Sequence, residues 1–269
     1  MHTELPIDLP IGVAPWHSLL AECPEPLRTD LGLGVGAAGG ARTLVAADVD
    51  SMLLNRAFDV ERCDEPGVAR VVAHYRRRGV PRFFAHVSEA HLTEAVSQRL
   101  SRVGLVRYHR RWIECARGPG AVAEAPCAFE ITEATAEHAD ALGRILARGF
   151  DMPGPAAAIW AATVGRPGWH HHVATDRGRV VAAGTLYVRG DRGSLVAAAT
   201  HPAHRRRGAQ GALMRRRLLR AFELGCRLVV SETGEAMAGE PNSSANNMRR
   251  HGFSPMRARV NFAPQGVHW

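Results

Sequence analysis

Lysine is missing from this 269-residue chain: all 34 of its basic residues are arginine. Against 26 carboxylates they leave a net charge of +8 with histidine neutral. Abundant alanine and glycine accompany the arginine, a bias of genome composition, so arginine content alone does not point to nucleic acid. No recognition-helix or zinc-finger spacing goes with the charge, which leaves a nucleic-acid-binding protein only as an alternative. A basic surface still attracts an anionic ligand. Missing too is any apolar run long enough to span a bilayer, or a basic N-terminal stretch leading into an apolar one. A cytoplasmic protein with no membrane partner is expected. Cysteine is scarce: Cys23, Cys63, Cys115, Cys127 and Cys226 are odd in number and show no C-x-x-C spacing. That excludes a disulfide framework and a zinc site, and free thiols and no metal are expected.

What is present fits a globular protein, 46% apolar and 22% charged, long enough for one large or two small domains. In the first half a short amphipathic piece runs from Trp16 to Ala21. Gly34-Val35-Gly36-Ala37-Ala38-Gly39 is a literal G-x-G-x-x-G. Pro24, Pro26 and Asp30 precede it where a dinucleotide fold needs a strand, and the strand-like Ala41 to Ala46 follows where it needs a helix. A flexible turn is the reading. Periodicity then predicts a helix over Glu65 to Arg78, a strand over Pro81 to Val87, a helix over His91 to Val103 and a strand over Leu105 to Glu114. That order implies α/β layers. The Gly-, Pro- and Ala-rich stretch 119–126 reads as a linker, separating an N-terminal domain, 1–118, from a C-terminal one, 127–269.

The second half opens with a short strand at Phe129 to Ile131 and a helix capped by Thr135. A second short helix over Ala156 to Val164 is expected, then three strands at Trp169 to Thr175, Val180 to Val188 and Ser194 to Thr200. After them stands Thr200-His201-Pro202-Ala203-His204-Arg205-Arg206-Arg207-Gly208-Ala209-Gln210-Gly211, leading into a helix to about Leu224. A strand, a short basic turn with glycine and a long helix bind phosphates, because free N–H groups and the helix dipole face the anion. A strand from Leu228, a helix from Ser243 to His251 stopped by Gly252, and a last strand over Met256 to Phe262 complete the reading.

Two segments carry a resemblance. His201 to Gly211 is similar to the [QR]-x-x-G-x-[GA] acetyl-CoA loop of the GNAT superfamily of N-acetyltransferases, and Asn242 to Phe253 resembles the segment that closes that fold. Gln210 stands where Gly or Ala is usual, tolerable if its side chain points outward. The first half resembles the later part of the same fold without its loop. The implied architecture is α/β (α+β): two GNAT-like units, the first degenerate, each a mixed, mostly antiparallel twisted sheet flanked by helices.

The resemblance implies an acetyl-CoA-dependent N-acetyltransferase in which a primary amine attacks the thioester directly within a ternary complex. Acetyl-CoA is the implied co-substrate, held by Ala198, Ala199, Thr200, Arg205, Arg206, Arg207, Gly208, Ala209, Gln210, Gly211 and Asn242. Asn242 serves equally as a helix cap. A backbone N–H near Ala199 meets the oxyanion, and Glu232, just past its strand, is the first choice of base ahead of Glu235. The usual acid, a tyrosine, is replaced by Met248, which cannot donate a proton. Tyr187 or Ser244 are the substitutes. Arg215-Arg216-Arg217 reads as a solvated face, and Trp169-His170-His171-His172 as a strand edge near the acceptor cleft. The acceptor amine is unidentified, a homodimer stays open, and a non-catalytic acyl-CoA-binding sensor or scaffold is the alternative.

Overall fold

Prolines and capping side chains start several helices where local signals place them. The structure, a computed structural model, describes residues 10–267 except 238 and 241. Pro15 lies in the first turn of α1 (Ala14–Ala21) and Pro26 in that of α2 (Glu25–Asp30), where a missing N–H costs little. Next come β1 (Leu33–Ala38), β2 (Ala41–Ala46) and β3 (Arg56–Phe58). Asp64 accepts from the Gly67 N–H at 2.7 Å to begin α3 (Glu65–Arg77). β4 (Phe84–Ser88) follows, then α4 (Glu94–Arg102) capped by Thr93, β5 (Leu105–Arg107) and β6 (Trp112–Arg117). Beyond residues 119–126 lie β7 (Glu130–Glu133), α5 (Ala139–Gly149) and α6 (Ala156–Ala161). Three long strands follow, β8 (Trp169–Asp176), β9 (Arg179–Arg189) and β10 (Arg192–Thr200). The chain closes with α7 (Ala209–Glu223), β11 (Leu228–Gly234), α8 (Ser243–Arg250) and β12 (Ser254–Pro264).

The G-x-G-x-x-G stretch is strand β1, not a flexible turn; only its end bends, at Gly39 and Gly40 with φ of 58° and 98°. A Cβ on Gly39 would overlap the Gly67 carbonyl, so the first glycine of that turn is also a packing requirement. The strand expected over Leu105 to Glu114 is broken into β5 and β6, which both pair with β12.

Among the described residues every strand joins one sheet, in the order β1-β2-β3-β4-β12-β6-β11-β10-β9-β8-β7, with β5 beside β12. Two neighbours run parallel, β3 with β4 and β10 with β11. Each half therefore contains one parallel step, and the halves exchange their last strands. β6 pairs along its length with β11, while β12 pairs with β4. The sheet thus passes across the 119–126 boundary without a break. Helix α1 also crosses over: Trp16 meets Trp160 edge-on at 6.0 Å, and Trp169 Nε1 donates to Ser18 Oγ at 3.0 Å.

Charge is buried along this seam. Glu114 of β6 is fully buried and accepts from Arg257 at 2.6 Å and Arg259 at 3.3 Å, both on β12. Arg259 also holds Glu232 of β11. Arg56 of β3 has no exposed surface, and its guanidinium lies 4.3 Å and 4.5 Å over the rings of Trp16 and Trp112.

β8 is an interior strand between β7 and β9, so the three histidines do not form an edge beside a cleft. His171 and His172 are buried on opposite faces, His171 Nε2 lying 3.1 Å from Thr163 Oγ1. Burial pushes His171 down to about 4. Burial, helped by Arg217 and Arg216, pushes His172 down to about 3. Among the described residues no three His, Cys, Asp or Glu side chains cluster as metal ligands.

Excised residues 127–269 lack β6 and leave β12 without β4, so this fragment is expected to aggregate or melt without cooperativity. A monomeric, cooperative melt of the fragment would show that β11 does not need its exchanged neighbour. The two histidines are neutral in the fold, whereas the unfolded chain takes up their protons below its ordinary pKa near 6.5. The unfolded state then binds more protons, so stability is lost as pH falls from about 6.5 toward about 4. Thermal melts should show this decline, and His172→Leu should flatten it; an unchanged slope would contradict the assignment.

Candidate active site

Where β10 and β11 part, the sheet opens. They pair only from Arg192 with Leu228 to Leu195 with Ser231. Between Leu195 and Ala198 the register of β10 against β9 slips, and a bulge of this kind bends a strand away from its neighbour. A cleft of about 1400 Å³ occupies the gap, walled by Leu195 to Thr200 on one side and Ser231 to Gly234 on the other.

One edge of β10 faces this cleft. The His201 N–H donates to the Val181 carbonyl at 2.8 Å, so the alternation of an antiparallel ladder turns the Ala199 N–H toward β9. The N–H groups of Ala198 and Thr200 face the open side instead. The donor expected at Ala199 is therefore displaced by one residue to either side.

Arg217 braces the bulge from behind. Its Nη1 donates to the carbonyls of Thr185 at 3.0 Å and Ala197 at 3.3 Å, and its Nε to Leu213 at 3.1 Å. Thr185 Oγ1 accepts from the Ala197 N–H at 3.1 Å, so both polar groups of Ala197 are held outside the regular ladder. A Cβ on Gly184 would stand 2.8 Å from Arg217 Nε, so glycine there makes room for the guanidinium. Burial alone pushes Arg217 down to about 9, and no described carboxylate pairs with it. Arg217 is thus no part of a solvated face. Its place was readable: Leu213, Arg217 and Ala221 recur at four-residue spacing on the buried stripe of α7.

The loop after β10 makes a short 3-10 turn at Pro202–His204, then passes through left-handed Arg206 and Gly208, with φ of 62° and 88°, into α7. A Cβ on Gly208 would overlap the Pro126 carbonyl. Residues 123–126 are accordingly a wall of the cleft, with Glu124 paired to Arg215. Gln210 does not point outward: its Nε2 donates to Thr200 Oγ1 at 2.8 Å, tying the helix start to the strand end. Arg205, Arg206 and Arg250 line the cleft without a carboxylate partner among the described residues, alongside Ala209 and Gly211. A helix start, a glycine cradle and unneutralised arginines together suit a phosphorylated cofactor. Arg207 leaves this group, since its side chain turns to Asp176 at 3.0 Å and lies 4.4 Å over Phe129.

The remaining expected residues divide. Glu232 lines the cleft from within β11, held by Arg259 and 4.0 Å from Arg56. Glu235 is engaged by Arg111, whose hydrogen bonds hold its carboxyl below the usual range. Tyr187 is buried against Trp169, ring centroids 5.1 Å apart, and does not line the cleft; burial raises its hydroxyl. It is no substitute acid. Asn242 accepts from the Ala245 N–H at 2.9 Å and donates to the Gly234 carbonyl at 2.6 Å, a cap for α8 outside the cleft lining. Met248 and Ser244 do line the cleft.

Residues 139–253 match the acetyltransferase (GNAT) family. No curated protein sequence matches the chain. Among solved structures, a GCN5-related N-acetyltransferase from Kribbella flavida is 19% identical with a TM-score of 0.64, over 88% of this chain and 91% of that one. Another from Sphaerobacter thermophilus is 18% identical with a TM-score of 0.55, over 93% and 87%. A tandem GNAT protein from the clavulanic acid biosynthesis pathway is 15% identical with a TM-score of 0.57, over 84% and 78%. At these identities the likeness is one of fold. Residues 139–253 thus match the GNAT acetyltransferase family in sequence, and the chain shares the fold of solved GNAT structures.

Proposed function

We propose that the protein transfers an acetyl group from acetyl-CoA to a primary amine by direct attack in a ternary complex, in the cytoplasm. The observation behind this reading is the meeting of an open strand edge and a left-handed glycine loop in one arginine-lined cleft. The pyrophosphate rests on the N–H groups at the start of α7, with Arg205 and Arg206 beside it, and pantetheine runs along Ala198 to Thr200. The first 118 residues act as a degenerate GNAT-like unit that walls the cleft rather than holding a second cofactor.

In the chemical step the amine nitrogen bonds to the thioester carbon, and the carbonyl oxygen takes negative charge facing the Ala198 and Thr200 N–H groups. The C–S bond then breaks and its electron pair leaves with sulfur. Glu232, held by Arg259 at the cleft wall, passes the amine proton to solvent through water. Met248 supplies no proton, but a thiol of pKa near ~8.5 leaves readily. The Arg217 charge behind β10 eases both the oxyanion and the departing thiolate.

Acetyl-CoA at a hundredfold excess over Kd should stabilise the fold by about 2.7 kcal/mol, read as a rise of several degrees in Tm. Gln210→Glu should keep the apo Tm, because a carboxylate suits a helix start, yet lose the cofactor-induced rise. An unmoved Tm in the parent protein would refute acetyl-CoA binding. Thiol release with amines separates an enzyme from a sensor, and Arg217→Met should lower kcat about 10-fold or more, with Arg217→Lys in between.

A further inference from the structure

We infer that the acceptor is a compact amine on a flat apolar body, an arylalkylamine by class, and not a polycation. The inference rests on the acyl transfer proposed above. It starts from what surrounds the end of the cleft away from the phosphate loop. Gly149 packs so closely on Ala199 that a Cβ would overlap it, which sets Phe150 beside the open edge of β10. Opposite, Trp112 pairs in register with Gly234, two residues beyond Glu232. Trp16 faces it across the Arg56 guanidinium, itself 4.0 Å from Glu232, and Tyr108 extends the wall. Aromatic residues make up only 6% of the chain, yet four of them gather around the reacting end of one cleft. A buried cation held between two indole faces fixes their orientation, so this wall is rigid before any ligand arrives.

Charge weighs against the alternative. The carboxylates lining the cleft are Glu124, Glu232 and Glu240, and each is already paired, with Arg215, Arg259 and Arg110 respectively. Arg205, Arg206 and Arg250 serve the phosphate end, and Arg217 lines the cleft with no carboxylate partner among the described residues. A polyamine or a lysine-rich peptide would bring several ammonium groups to carboxylates that already have arginine partners, beside the buried Arg56 and Arg217 guanidiniums. An amine with a single nitrogen and an aromatic body gains burial against the rings and pays little of that repulsion.

The test measures thiol release from acetyl-CoA by the whole protein with 2-phenylethylamine, tryptamine, spermidine and a lysine-containing peptide. The arylalkylamines should exceed spermidine and the peptide in kcat/KM by about 10-fold or more. Phe150→Ala should raise KM for 2-phenylethylamine several-fold while leaving KM for acetyl-CoA unchanged. Titration with 2-phenylethylamine, followed by tryptophan fluorescence, reads the same wall without the donor and should saturate. Preference for spermidine or peptide, or no arylalkylamine turnover in protein whose Tm acetyl-CoA raises, would overturn the inference and leave the acetyl-CoA reading standing. Absence of that rise would remove the acyl-transfer reading and this inference with it.

Discussion

The exchange of β6 and β12 between the two halves is the constraint on which the rest of the molecule depends. Each strand completes a sheet begun by the other half, and the charges they carry meet in the seam. Glu114 arrives on β6, Arg257 and Arg259 on β12, Glu232 on β11 and Arg56 on β3. Removing one member of such a buried network leaves another uncompensated, which typically costs 3–5 kcal/mol. The cleft carboxylate is held by Arg259 of its own half, which Glu114 of the other half anchors in turn, and Arg56 of that other half lies 4.0 Å away. Its geometry is a property of the fused pair rather than of residues 139–253 alone.

The second organising device is the bulge in β10. A strand that kept its register would pair with β11 to its end and leave no edge for a ligand. The slip between Leu195 and Ala198 breaks that pairing, and the Ala197 polar groups it displaces would be costly to bury unpaired. Thr185 and Arg217 satisfy them. A cation without a carboxylate partner is tolerated there because its hydrogen bonds go to carbonyls. One residue thus repairs the backbone and leaves positive charge where the proposed reaction develops negative charge.

Local signals made most elements legible. The helices read over Glu65 to Arg78 and His91 to Val103 form as α3 and α4, and the Thr200-to-Gly211 loop joins a strand to a helix as its residues imply. What escaped was non-local. Nothing near Trp112 or Met256 tells that β6 and β12 trade places, because strand neighbours are chosen across the whole chain. Gly34 to Ala38 forms a strand because β2 offers a ladder, overriding the freedom of its glycines. The orientation of Ala199 turned on a bulge one cannot count from sequence. Tyr187 was misplaced for a similar reason, since which face of β9 meets the cleft depends on layers packed later. Arg217 is different: its spacing from Leu213 and Ala221 marks the buried stripe of α7, although a charged side chain there ordinarily faces solvent.

The reciprocal strands also set a timetable for synthesis. A chain made from its N-terminus exposes β4 long before the strand that will cover it exists, since Ser88 is matched with Arg259. The first half cannot close its own sheet as it emerges, and β6 must wait for β11. Such a nascent chain carries two open edges through most of its translation, a state prone to pairing with other chains. Its yield in a cell then depends on how quickly the last strand follows, a dependence that two independently folding domains on a tether would not share.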